Sequence, residues 1–217
     1  MSSEMLNLFL SSFGETLLMV GASGIIGALL GVPLGILLHL TGRDGILPHT
    51  AFNRTTGIIV NAVRSTPFII LLVAVIPLTR FFVGSSIGTA AAIVPLTIAA
   101  APFVARLVES ALREVDRGLV EAAQAMGATT SQIVFKVLVP EAFSGIVAGL
   151  TITFVSLVGY SAMAGAIGGG GLGDLGIRYG YQRFLPEVML LVVLILIVFV
   201  QLVQTLGDVL VRRLSHR

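Results

Sequence analysis

RLVESALREVDRGLVEAAQAMGATTSQIVFKVLVPE, residues 106–141, holds nine charged side chains out of 13 basic and 11 acidic ones in a chain of 217 residues. It is the one long polar segment. Residues 81–105 before it carry no charge, and neither do residues 142–173 after it. A helix needs about 20 apolar residues to cross roughly 30 Å of hydrocarbon, so each flank reads as a membrane span. Working outward, residues 58–77, with Arg64 near the start, give another span, and residues 16–40 and 188–207 give two more. The expected architecture is all-α and polytopic, with five transmembrane helices in a single domain over residues 1–217. Composition agrees: 56% of residues are apolar and 11% charged, against about 25% charged in soluble domains, and mean hydropathy is +1.03. So few charges cannot cover the surface of a soluble enzyme, a nucleic-acid binder or a disordered tail.

Finer features follow from spacing. Leu6, Phe9, Leu10 and Phe13 repeat at helical intervals, which suits either a short helix in the interface or an apolar terminus. The fourth uncharged interval exceeds one span, so its Gly-rich end should leave regular helix. Gly24, Gly27, Gly31 and Gly35 place small residues along the first span, where they favour close helix packing. Ten of the 13 basic residues, Arg217 among them, fall on one side if the amino terminus lies outside. The positive-inside rule therefore predicts an external amino terminus and a cytoplasmic carboxyl terminus. The absence of cysteine excludes thiolate sites, and His39, His49 and His216 lack metal-ligand spacing, so no metal site is expected.

Within the polar segment, Asp116 is placed to cap a helix and Gly127 to end it with a left-handed residue. A helical wheel puts Leu119, Val120, Ala122, Ala123 and Met126 opposite Glu121 and Gln124. Thr129 and Gln132 stand at capping-box spacing, and Pro140 marks an end or kink. The segment is either a rigid helix–turn–helix protrusion or a solvated connector.

Glu121-Ala122-Ala123, three residues, Gly127, nine residues and Val137-Leu138-Val139-Pro140 resemble the EAA signature of bacterial ABC importer permeases, E-A-A-x3-G-x9-I-x-L-P. Val137 and Val139 depart conservatively from that pattern. Residues 64–72 (RSTPFIILL), 91–97 (AAIVPLT) and 157–166 (LVGYSAMAGA) are similar to methionine importer permeases, and the likeness covers nearly all spans. The resemblance implies a type I ABC importer permease fold in the bacterial inner membrane. It further implies a homodimer joined to two cytoplasmic ATPase subunits and supplied by an external substrate-binding lipoprotein. It assigns coupling to residues 106–141, with Glu121, Ala122, Ala123, Gly127 and Pro140 as the carriers.

No G-x4-G-K-[ST] pattern occurs, so the chain is not expected to be an enzyme, and ATP and Mg should reside on the partner. Tyr160, Ser161 and Met163 are candidates for the translocation path or gate, or for packing within a dimer core. Arg64 and Pro67 are candidates for a hinge, or for an inner-edge position from which Arg64 snorkels. Methionine uptake is the expected function. Another amino acid or a quaternary amine is the alternative within this architecture, and a small secondary transporter is the alternative outside it. Few spans carry the midplane ionisable groups that ion coupling uses.

Overall fold

The computed structural model describes residues 3–214; His216 and Arg217 lie outside them. Helices α1 (Ser3–Thr41), α5 (Thr89–Arg113), α8 (Val139–Ala164) and α10 (Pro186–Leu214) are each long and apolar enough to cross a membrane. The fifth candidate span is a bent pair. Helix α2 (Thr50–Ser65) meets α3 (Phe68–Ala74) at 107°, and α4 (Ile76–Val83) follows directly. Pro67 causes the break, because it lacks an N–H and pushes the preceding Thr66 out of helical geometry, to φ −80° and ψ 124°.

Several expectations needed correction. The first span has no separate interfacial helix before it: residues 6–13 continue into α1, with Phe9 buried against Leu172, Leu175, Val188 and Val192. Tertiary burial of one face thus decides what periodicity left open. The third span begins at Thr89 rather than at 81, because Gly84 and Gly88 take positive φ and turn the chain. Pro140 does not end a helix. It sits in the first turn of α8, and the adjustment lies upstream in a π-helical turn, Val134–Leu138, where the Val139 N–H reaches back to the Val134 carbonyl.

The first span packs through its glycines. An added Cβ at Gly27 would stand 2.6 Å from that of Ala100, and one at Gly31 would stand 2.5 Å from the Ala101 carbonyl oxygen. One at Gly35 would stand 2.5 Å from the Ala105 carbonyl oxygen, so α1 and α5 run parallel in register. Gly145 against Ala111 and Gly149 against Leu107 set α8 antiparallel to α5. The bundle therefore has a loop end, where α6 (Arg117–Ala125) and α7 (Thr130–Ile133) lie, and a far end. At the far end the long helix breaks at Gly168 (φ 92°) and Gly170 (φ 82°) before α9 (Gly171–Leu175). That break is the irregular Gly-rich end expected of the fourth interval.

Candidate functional site: the polar loop and the broken span

Asp116 caps α6 by accepting from the Gly118 N–H at 2.7 Å, and Gly127 ends the helix with φ 77°. Thr129 and Gln132 complete a reciprocal capping box at the start of α7. These local bonds make residues 116–133 a rigid helix–turn–helix. The apolar residues of α6 do not share one face, however. Ala123 is buried with Val115, Ile133, Val134 and Leu138, and Val120 packs against that cluster. Leu119 and Met126 remain 45% and 82% exposed, with Ala122 exposed between them. Spacing of three and four residues joins those three into an outward stripe, which a coarse half-wheel merges with the inward one.

Glu121 is exposed and lines a cavity of about 780 Å3 between α6 and the end of α1, together with His39, Arg43, Asp44, Arg113 and Arg117. The Arg117–Asp44 pair across it is 3.2 Å long and open to solvent, and such pairs contribute little. Beneath the loop lies a residue that sequence reasoning missed. Glu109 is 3% exposed and accepts from Arg106 at 2.5 Å and from Arg113. Arg106 also donates to the Gly57 carbonyl at 3.1 Å, which ties α5 to α2. The spacing of Arg106, Glu109 and Arg113, three and four residues apart, was the available signal. Its burial depends on neighbours far away in sequence.

Arg64 and Tyr160 come together at the break in the second span. They line a cavity of about 110 Å3 with Val63, Thr66, Phe68, Leu71, Ala99 and Phe103. Arg64 stands 5.7 Å from the centre of the Phe103 ring. Tyr160 stacks on Phe68 at 4.6 Å. Ser161 is separate: it is buried, and its hydroxyl donates to the Val158 carbonyl at 2.8 Å within its own helix. Met163 is 48% exposed on the surface of the single chain. Pro67 belongs to the break itself and is exposed.

At the far end, α1 holds the Gly-rich break. Glu15 accepts from the Gly171 N–H at 2.6 Å, and the Thr16 hydroxyl accepts from Leu172 N–H at 2.9 Å. These bonds satisfy donors that the break exposes. Glu15→Ala leaves the Gly171 N–H without its partner and is expected to cost about 1–3 kcal/mol locally. Hydrogen exchange at residues 168–172 should accelerate accordingly; unchanged exchange would remove Glu15 from this role.

Residues 31–217 match the family model described as binding-protein-dependent transport system inner membrane component. A relative from Vibrio cholerae, named probable D-methionine transport system permease protein MetI, is 56% identical over 97% of this chain and 94% of its own. The Escherichia coli K12 protein named D-methionine transport system permease protein MetI is 54% identical over 76% of each chain. A solved structure described as an inward-facing conformation of the MetNI methionine ABC transporter superposes with a TM-score of 0.98 at 51% identity, covering both chains completely. A solved amino acid ABC transporter, at 22% identity and TM-score 0.80, shares the fold. The loop that interrupts the spans, the bent second span and these matches agree: the chain belongs to the family of inner-membrane components of binding-protein-dependent transport systems, with a type I ABC importer permease fold.

Proposed function

We propose that this chain is the permease subunit of an ABC importer that takes up methionine across the bacterial inner membrane by alternating access. The observation that carries the coupling part is the rigid loop, which presents Leu119, Ala122 and Met126 outward from a helix fixed at both ends. Substrate identity draws on the methionine permeases that are more than half identical to this chain. The protein works as a homodimer with two cytoplasmic ATPase subunits, which carry ATP and Mg, and an external binding lipoprotein delivers the substrate. The amino terminus lies outside and the carboxyl terminus in the cytoplasm, which puts the loop end of the bundle beside the ATPase.

In this reading the outward stripe of α6 seats in the ATPase, and Glu121 and Gly127 fix its approach and turn. Ala123 holds the loop to the bundle, and Pro140 opens the helix that carries the movement onward. Nucleotide-driven movement of the loop passes to α5 and α8, and the break at Arg64–Pro67 absorbs it as a hinge. Along α8, Ile152, Gly159 and Met163 leave an exposed small and apolar stripe, suited to a second copy in lipid. Met163 then meets its counterpart at the dimer axis as a flexible gate, with Tyr160 and Ser161 near the path.

Ala122→Arg tests the docking face without touching the buried side of α6. Recovery of the ATPase with affinity-tagged permease is expected to fall at least tenfold, while Gln124→Lys, on the opposite side, stays within about twofold, as charge at the centre of an interface costs several kcal/mol. Equal recovery from Ala122→Arg would contradict the assignment of α6.

A further inference from the structure

We propose that the cavity at the break of the second span is a transient methionine site, in which Arg64 receives the substrate carboxylate. This inference rests on the methionine-permease reading and assigns it a recognition residue. Three observations converge on it. The first is depth. Gly27 lies near the centre of the uncharged first span and packs on Ala100, while Ala99 and Phe103 of the same helix line the cavity. At 1.5 Å rise per residue, Phe103 sits within about 5 Å of that level. Transporters commonly build their sites from broken helices near the midplane.

The second observation is charge. Arg106, Arg113, Arg117 and Arg178 all pair with carboxylates. Arg64 is exposed and faces an aromatic ring instead; arginines at loops and helix ends also lack an ion pair among the described residues, and Arg64 is set apart by its place beside the break of the second span. An ionisable side chain at membrane depth marks a functional site by default, and a guanidinium matches a carboxylate through parallel N–H bonds. The ammonium has a counterpart too. The bend leaves the last carbonyls of α2 outside regular helix bonding, with Val63 bonded to the Thr66 N–H and Ala62 to the Thr66 hydroxyl. A helix carboxyl end attracts cations.

The third is the wall. Phe68, Phe103 and Tyr160 surround the space with rings, and a thioether sulfur makes favourable contacts with aromatic rings. At about 110 Å3 the cavity exceeds the 10–15 Å3 that one water needs by severalfold, enough for the polar head of a small zwitterion. Guanidinium, helix-end carbonyls and rings together offer contacts to both ends of methionine.

The test uses the full transporter, reconstituted with its ATPase and binding protein, and a diazirine analogue of methionine as a photoreactive probe. During turnover, label is expected on peptides containing Phe68, Phe103 or Tyr160, with at least a tenfold drop in Arg64→Gln and partial recovery in Arg64→Lys. Undiminished labelling in Arg64→Gln, or labelling confined to other spans, overturns the site. Where Arg64→Gln fails to assemble with the ATPase, Phe103→Leu carries the test, with at least a threefold loss expected and no loss overturning. Wild-type transporter that imports no methionine would overturn the substrate reading itself, an outcome distinct from loss of the site.

Discussion

The Glu109→Gln variant is expected to lose about 3–5 kcal/mol of stability, the cost of removing one member from a buried charged pair. Glu109 is the only carboxylate within reach of two guanidiniums in the described residues, and its side chain is 5% exposed. Arg113 is two-thirds exposed and can turn to water, so most of the loss lies with Arg106, whose side chain is 22% exposed. Without Glu109, Arg106 keeps its bond to the Gly57 carbonyl but carries an uncompensated charge, and its Nε is already buried without a partner. Glu114→Gln, one turn further and exposed, should change stability by less than about 0.5 kcal/mol. Thermal denaturation of the purified complex checks both, and a Glu109→Gln protein melting with the wild type would contradict the pairing.

Gly31→Leu is the second large effect. A Cβ there would lie 2.5 Å from the Ala101 carbonyl oxygen and 2.6 Å from Val104 Cβ. The carbonyl belongs to the backbone of α5 and cannot swing aside as a side chain could. The two helices must separate, which also loosens the contacts at Gly27 and Gly35 on the same line. Overpacking of a core costs about 1–3 kcal/mol, and three coupled contacts put Gly31→Leu at or above the upper end. Gly14→Ala on the same helix meets nothing within 4 Å and is expected to leave folding yield unchanged. The comparison reads out as detergent-soluble, monodisperse protein, and equal yields from the two variants would contradict the glycine seam.

Much of this architecture was legible because lipid enforces it. Uncharged intervals located the spans, and caps at Asp116, Thr129 and Gln132 located the ends of the loop helices, since those bonds join residues two or three apart. What escaped depends on distant partners. Glu15 and Gly171 are 156 positions apart, so no spacing announces their bond. Pro67 signalled a bend, but its size, 107°, follows from how α3 packs on α5 and α8. The split of α6 into a buried Ala123 face and an exposed Ala122 face needed the position of Leu138 and Ile133 beneath it. Arg64 and Tyr160 were singled out separately, and only the folded chain shows that they share one cavity.

The central claim is that this chain conducts methionine when a partner ATPase drives it through the α6 loop. ATP-dependent uptake of radiolabelled methionine into vesicles, reconstituted with the ATPase and the binding protein, tests it most directly. Uptake is expected with the wild type and should fall at least tenfold with Glu121→Lys, although the ATPase still hydrolyses ATP. Methionine uptake that survives Glu121→Lys unchanged, or none at all with the wild type, would contradict the account.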